Sequence, residues 1–385
     1  MTGLLPELLA DVRTLVECES PSADLAAVAR SADVVARVGT ARLGVAPERI
    51  VLEGRSHLRW RLGDEPSRVL LLGHHDTVWP LGSLADRPCA VTGPPEAGVL
   101  RGPGCFDMKA GLVMAFHAAA GLSGVTILVT GDEELGSPSS RSLIEEEARL
   151  AEAVLVLEAA ADGGALKTER KGVSLYDVRV TGRAAHAGLE PERGVNATVE
   201  LAHQVAAVSR LGDADAGTTV TPTAARSGTT TNTVPASASF AVDVRVRTLA
   251  EQDRVDGAMR ALRMVLPGAV VEVTGGPNRP PLEAAASAEL YARACAVAVR
   301  LGLPEPASAA VGGASDGNFT AGVGTPTLDG LGAVGGGAHA DDEHVLVAEL
   351  PGRTALLRAL AQELLARELL AEPTRLLTTS AAARP

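Results

Sequence analysis

Aromatic residues are nearly missing from this chain: two Trp, two Tyr and four Phe make up 2% of its 385 residues. With 47 acidic against 35 basic side chains the formal charge is -12. The chain therefore offers neither the stacking platforms nor the positive field that nucleic acid or an anionic membrane surface requires. Its four cysteines, Cys18, Cys89, Cys105 and Cys295, are too few and too scattered for a disulfide framework or a zinc finger, so a reducing, cytoplasmic setting is expected. No apolar run reaches the length of a membrane span. The first twenty residues carry Glu7, Asp11, Glu17 and Glu19, which suit an acidic amphipathic helix and not a signal peptide.

What the chain does have is enough apolar residues, 46%, for a large core, and enough length for more than one domain. Up to about residue 172, helical and β-rich segments alternate. The pattern predicts helices over 24–43 and 109–122, and strands over 68–73, 125–130 and 153–157. That order implies a parallel or mixed sheet with helices on both faces. The order then changes to a strand over 174–181, a helix over 196–211, strands over 218–223 and 236–247, a helix over 252–265 and a strand over 269–274. This β-α-β-β-α-β series is the plan of a small α+β sandwich, and 275–281 reads as its exit linker. Helices over 285–301 and 354–370 and a strand over 325–328 return to the first architecture. We therefore expect a discontinuous α/β domain (1–172 and 281–372), an inserted α+β domain (173–280) and a frayed tail (373–385).

Three of the predicted strands end in polar residues that carry chemistry: Gly73-His74-His75-Asp76-Thr77, Gly131-Asp132-Glu133-Glu134, and Glu158. Open α/β sheets collect their ligands beyond the carboxyl ends of the strands, so these groups belong to one pocket. With Asp107 and His339, both in glycine-rich turns, five metal-ligand candidates emerge: His74, Asp107, Glu134, Glu158 and His339. Histidine nitrogen and carboxylate oxygen are ordinary zinc ligands, and paired ions about 3.5–4 Å apart need a bridging group. Asp76 is too close to His74 to serve the same ion easily, but it can accept from the other ring nitrogen and fix the tautomer. Adjacent residues on extended chain point to opposite sides, so Glu134 can bind metal while Glu133 faces the attacking water as base. A solvated acidic pair ahead of a helix near 137–144 is the plain alternative. In the insert, His186 sits among small residues and Arg245 at a strand end with Asn232 upstream. An arginine fork matches a carboxylate, although a core-edge histidine and a solvated arginine would read the same way.

Taken together, these pieces resemble the M20 family of metallopeptidases and amidohydrolases, nearest its glutamate carboxypeptidase branch, over almost the whole chain. The matching runs are Gly73-His74-His75-Asp76-Thr77-Val78, Gly104-Cys105-Phe106-Asp107-Met108-Lys109-Ala110-Gly111, Gly131-Asp132-Glu133-Glu134-Leu135-Gly136-Ser137, Glu158, Gly182 to Gly188, Asn232-Thr233-Val234-Pro235 and His339-Ala340-Asp341-Asp342-Glu343. The resemblance implies an α/β fold, a zinc-peptidase-like mixed-sheet catalytic domain with an inserted ferredoxin-like lid and dimerisation domain. It implies two divalent ions, zinc first and cobalt or manganese as alternatives. His74, Asp107 and Glu158 would hold one and Asp107, Glu134 and His339 the other, with Asp107 bridging.

By the same resemblance Glu133 is the general base, Asp76 orients His74, and His186 reaches from the partner subunit of a homodimer to the oxyanion. Asn232 and Arg245 would grip the carboxylate of a small peptide or N-acyl amino acid, with hinges near Gly172 and Gly276. The turn Gly312-Gly313-Ala314-Ser315-Asp316-Gly317-Asn318 departs from the branch's common Gly-Gly-Thr-Asp-Ala, and Ser315, Asp316 and Asn318 are expected on the substrate side. Three functions remain open. They are hydrolysis of an amide bond to a C-terminal amino acid such as glutamate, deacylation of an N-acyl amino acid or specialised metabolite, and non-catalytic binding.

Overall fold

A computed structural model describes residues 3–64, 66–94 and 97–366. The chain opens with helices α1 (Leu4–Val16) and α2 (Leu25–Leu43). Asp24 caps α2 by accepting from the backbone N–H groups of Ala26 and Ala27, and Gly44 ends it in the left-handed conformation. Strands β1 (Glu48–Leu52), β2 (Arg55–Leu62) and β3 (Val69–His74) follow, then helix α3 (Ala110–Ala119), strand β4 (Val125–Thr130), helix α4 (Arg141–Leu150) and strand β5 (Ala153–Val156). The insert contributes β6 (Gly172–Thr181), α5 (Ala197–Val208), β7 (Thr219–Ser227), β8 (Ser237–Val246), α6 (Leu249–Arg260) and β9 (Val270–Arg279). Helix α7 (Ala284–Arg300), strand β10 (Thr327–Leu328) and helix α8 (Glu349–Ala366) complete the larger unit.

The large sheet runs β1-β2-β4-β3-β5-β10, with β4, β3, β5 and β10 parallel and the β1-β2 end antiparallel. Every residue of β3, β4 and β5 is buried, as a sheet covered on both faces requires. Alternation along β3 divides its side chains between two cores. Leu71 faces α1, α2, α3 and α8 with Trp60 and Phe116, whereas Leu70 and Leu72 face Ile144 of α4 and Phe319. The fold is α/β with mixed sheets, as the order of segments predicted.

The insert forms a wholly antiparallel sheet in the order β7-β8-β6-β9, the ferredoxin-like arrangement. It has its own core, in which Val178, Phe240, Val242 and Val244 pack on Val208 of α5 and on Val255 and Met259 of α6. One boundary is corrected. Residues 275–279, read as linker from their glycines, are the second half of β9, paired with β6. A Cβ on Gly275, at φ +87°, would sit 2.1 Å from the Leu175 carbonyl oxygen. The glycine thus allows close strand approach and does not supply slack. Helix α6 begins and ends earlier than its apolar pattern indicated, β7 extends to Ser227, and α8 begins at Glu349. The predicted end of that last helix and the expected tail lie outside the described residues. No helix among the described residues is long and apolar enough to cross a membrane.

Candidate active site

Strands β4, β3 and β5 lie side by side and release the chain at the same edge of the sheet. In register His74 faces Thr130 and Leu72 faces Val156, so Glu158, two residues further on, comes level with His74. His74 Nε2 lies 3.2 Å from Asp107 Oδ1 and 3.5 Å from Glu158 Oε1. The other oxygen of Asp107 is 3.3 Å from His339 Nε2, which in turn lies 3.2 Å from Glu134 Oε2. All five predicted ligands therefore meet, and the Asp107 carboxylate stands between the two imidazoles with one oxygen toward each.

The donor set fits a pair of divalent cations. His74 Nδ1 is 3.0 Å from the Asp76 carbonyl oxygen, which can only accept, so the proton resides on Nδ1 and Nε2 presents a lone pair to two carboxylates. Among the described residues His74 Nε2, Asp107 Oδ1 and Glu134 Oε1 are buried with no hydrogen-bond partner. Acceptors that face acceptors in a buried site need a cation between them. Protons respond to the same field. Burial alone would lower the pKa of His74, but Asp107, Asp76 and Glu158 drive it well above the usual value. Asp107 and Glu134 push His339 up to about 10. Burial would raise the Asp107 carboxyl, yet His339 and His74 hold it below the ordinary carboxylate range.

Glu133 lies beside these five, with one oxygen within 4.8 Å of the metal-capable atoms of His74 and Glu158, so that these three could themselves hold an ion. Its Oε1 accepts from Arg279 Nη2 at 2.9 Å, and the same nitrogen reaches Ser137 Oγ at 3.0 Å and Asp316 Oδ1 at 3.2 Å. Burial raises the Glu133 pKa well above the usual range against the opposing pull of Arg279. Asp76 lies against His74 Nδ1 and also reaches a second segment. Its carbonyl is the nearer partner of His74, with Oδ1 at 3.5 Å, while its carboxylate accepts the backbone N–H groups of Glu133 and Glu134 at 3.2 Å each. One buried aspartate thus contacts both the His74 ring and the backbone of the turn that carries Glu133 and Glu134.

The cleft over these groups is walled by four basic side chains, Lys167, Arg170, Arg245 and Arg279. Only Arg245 was singled out from sequence. Arg170 is held by Asp329, Nε to Oδ2 2.6 Å, and its Nη2 lies 3.6 Å from Glu158 Oε2. Arg279 was hidden by the linker reading. Arg245 is half-buried and makes a bidentate pair with Asp243 on its own strand, at 2.8 and 2.9 Å. A two-residue ladder joins Ala185–His186 to Thr233–Val234, and Ala187 N donates to Asn232 O at 2.9 Å, so His186 and Asn232 are neighbours. Both are exposed and neither lines this chain's cleft. His186 Nδ1 accepts from Gly188 N and Leu189 N at 3.1 Å each, which places the ring proton on Nε2.

The turn at 312–318 requires a second correction. Gly313 and Ala314 reach the cleft, but Ser315, Asp316 and Asn318 are buried with their polar atoms engaged. Ser315 Oγ donates to Asp329 Oδ2 at 2.6 Å, and Asp316 accepts from Arg279, Thr130 and Ser137. Asn318 Nδ2 donates to Lys171 O at 3.1 Å and Pro280 O at 2.8 Å, clasping both connections to the insert. These side chains hold the two strands that connect the insert and the turn that carries Glu133, through contacts distant in sequence.

Comparison with known proteins bears on the family and the fold. The model of Peptidase family M20/M25/M40 matches residues 70–363. Carboxypeptidase G2 from Pseudomonas sp. (strain RS-16) is 34% identical over 279 residues, which cover 68% of this chain and 66% of that protein, just under two thirds of its length. The fold is similar to that of aminopeptidase PepT from Bacillus cereus ATCC 10987, with a TM-score of 0.71 at 22% identity over 94% of this chain and 99% of that one. It is also similar to an M20 family metallo-carboxypeptidase from Sulfolobus solfataricus, with a TM-score of 0.69 at 15% identity over 94% and 98%. The dinuclear metal binding peptidase YXEP of Bacillus subtilis gives a TM-score of 0.63 at 15% identity over 94% and 98%. At such identities these structures speak to the fold alone.

Proposed function

From the premise that this chain belongs to peptidase family M20/M25/M40, we propose that it hydrolyses the amide bond to an amino acid with a free carboxylate, using Glu133 as general base. The observation that carries this reading is the Asp107 carboxylate, set between His74 and His339 with an oxygen toward each. His74, Asp107 and Glu158 would hold one divalent ion, and Asp107, Glu134 and His339 the other. Zinc is the first candidate, and cobalt or manganese the next. When bound, the ions polarise the scissile carbonyl and lower the pKa of the attacking water.

The rest falls to the protein. Glu133 takes the proton from water and passes it to the leaving amine, a transfer favoured by the raised pKa of this buried carboxyl. His186, with its proton on Nε2, donates to the developing oxyanion from the partner subunit of a homodimer. Arg245 receives the substrate carboxylate in a cleft that Lys167, Arg170 and Arg279 make cationic around its acidic floor, and Asn232, the neighbour of His186, joins it from the partner subunit. Glutamate is the first candidate for the released amino acid, a cytoplasmic enzyme the setting. Deacylation of N-acyl amino acids is the second reading, because the cleft wall at Gly313 and Ala314 offers no side chain that would reject an acyl group.

Glu133→Gln tests the mechanism, since glutamine keeps an acceptor for Arg279. Turnover should fall by about 10²–10⁴-fold with the metal content unchanged. Turnover close to that of the parent would refute the base assignment. A panel of dipeptides, N-acyl amino acids and folate-like glutamates, assayed with zinc, cobalt and manganese, decides between the two substrate readings.

A further inference from the structure

Glu343 ends the run that begins with the ligand His339, yet it does not line the cleft. It is 4% exposed, and both of its oxygens are fully engaged. Oε2 accepts from Trp79 Nε1 at 2.7 Å and from Gly104 N at 2.9 Å. Oε1 accepts from Phe106 N at 2.9 Å and from Asp107 N at 3.0 Å. Trp79 lies five residues beyond His74, and the three backbone donors belong to the turn that presents Asp107. One carboxylate therefore ties together the segment after His74, the turn of the bridging ligand and the loop of His339.

We propose that Glu343 is a positioning residue that sets the aim of Asp107, and with it how tightly both ions are held. The proposal rests on the two-metal reading. All four partners are N–H donors, and only an ionised carboxylate accepts from four donors through two oxygens without offering a proton of its own. Asp107 has to present its oxygens to two imidazoles at once, at 3.2 and 3.3 Å. A small shift of its backbone improves one approach at the expense of the other. Without Glu343, three N–H groups of the Gly104–Asp107 turn, two of them buried, lose their acceptor, and the turn must move to find others. Partners of this kind, one step removed from the metal, typically change affinity by about 10–100-fold.

The test uses the full chain with Glu343→Gln and Trp79→Phe. Glutamine retains one acceptor oxygen but turns an amide NH2 toward N–H donors; phenylalanine removes one donor from a half-buried position and leaves the three backbone bonds. Zinc affinity is measured by competition with a chelator of known strength, and stoichiometry by plasma mass spectrometry. Thermal melting of the metal-free protein is the readout for structure alone. The expected result is two ions on the parent protein, binding about 10–100-fold weaker in Glu343→Gln, and a smaller loss in Trp79→Phe. With zinc raised to saturation, KM of the glutamine variant should return to that of the parent, because no substrate-binding group has changed. Parent-like zinc affinity in a folded Glu343→Gln overturns the proposal, whether or not its metal-free melting temperature has dropped. If that variant does not fold, Trp79→Phe decides, and unchanged affinity there overturns it. A parent protein that takes up no zinc defeats the two-metal reading and this proposal together. That outcome is distinct from two ions held equally tightly by parent and variants.

Discussion

Replacing Asn318 by alanine separates two roles that the sequence allowed to be confused. Asn318 is fully buried; its Nδ2 donates to Lys171 O and Pro280 O at 3.1 and 2.8 Å, and its Oδ1 accepts from Ser315 N at 2.9 Å. Truncation leaves two carbonyls and one N–H without partners in a closed environment. Each such group costs about 1–3 kcal/mol, and with partial relaxation the total is about 3–5 kcal/mol. For a chain of this size 1 kcal/mol corresponds to roughly 2 °C, so Tm should fall by about 6–10 °C. Scanning calorimetry of the zinc-loaded protein measures the shift, and steady-state kinetics on the best substrate from the panel measures KM. Because Asn318 makes no cleft contact, KM should stay near that of the parent while Tm drops. An unchanged Tm with a KM raised tenfold or more would refute this reasoning and restore Asn318 to the substrate side.

Three further outcomes follow from the same geometry. A Cβ on Gly111 would sit 2.2 Å from the Leu157 carbonyl oxygen, a backbone atom that cannot swing aside. Gly111→Ala should therefore lose about 1–3 kcal/mol by overpacking and displace the neighbouring Glu158, lowering zinc content; a variant as stable and as metal-replete as the parent would contradict this. His75 donates from Nε2 to Ser56 O at 3.0 Å and accepts at Nδ1 from Ser31, and burial lowers its pKa to about 4. The unfolded chain binds this proton near pH 6.5 and the folded chain only near 4, so the contribution is complete above 6.5 and is lost as pH falls to about 4. Its limit is about 3 kcal/mol at 1.36 kcal/mol per pKa unit. Urea melts of the parent and of His75→Gln across that range should differ in slope, and parallel profiles would remove His75 as the cause. Stripping the metals should expose the opposite sign at His339, whose pKa near 10 lies above its unfolded value. Metal-free protein should then lose thermal stability as pH rises from about 6.5 to 10, more steeply than the zinc-loaded form. Equal pH profiles with and without metal would rule this out.

Much of the site was legible because metal ligation and strand burial both depend on residue type. β3, β4 and β5 announce themselves as short apolar runs, and a parallel sheet delivers whatever follows each strand to one edge. That is why His74, the Glu133-Glu134 pair and Glu158 could be placed in one pocket before any contact was known, and why Asp107 and His339 could join them by motif. The ferredoxin-like insert was readable for a similar reason, since its half-buried strands alternate with period two. Its exit was misread because Gly275-Gly276-Pro277 has the composition of a linker, and composition does not reveal the Leu175 carbonyl 2.1 Å from where a side chain would start. Asn318 was assigned to substrate on the strength of its turn, although its partners are 147 and 38 residues away. Asp76 illustrates the division within a single residue: its pairing with His74 is local and was foreseen, whereas its carboxylate belongs to the N–H groups of Glu133 and Glu134, 57 and 58 residues on. The sequence by itself determined the chemical groups of the centre and the sheet edge that gathers them, because side-chain type and strand period are local properties. Only the tertiary structure decided which buried groups fix Asp107, Glu133 and Glu134, because the hydrogen bonds from Glu343, Arg279 and Asp76 that do so join segments whose proximity the fold creates.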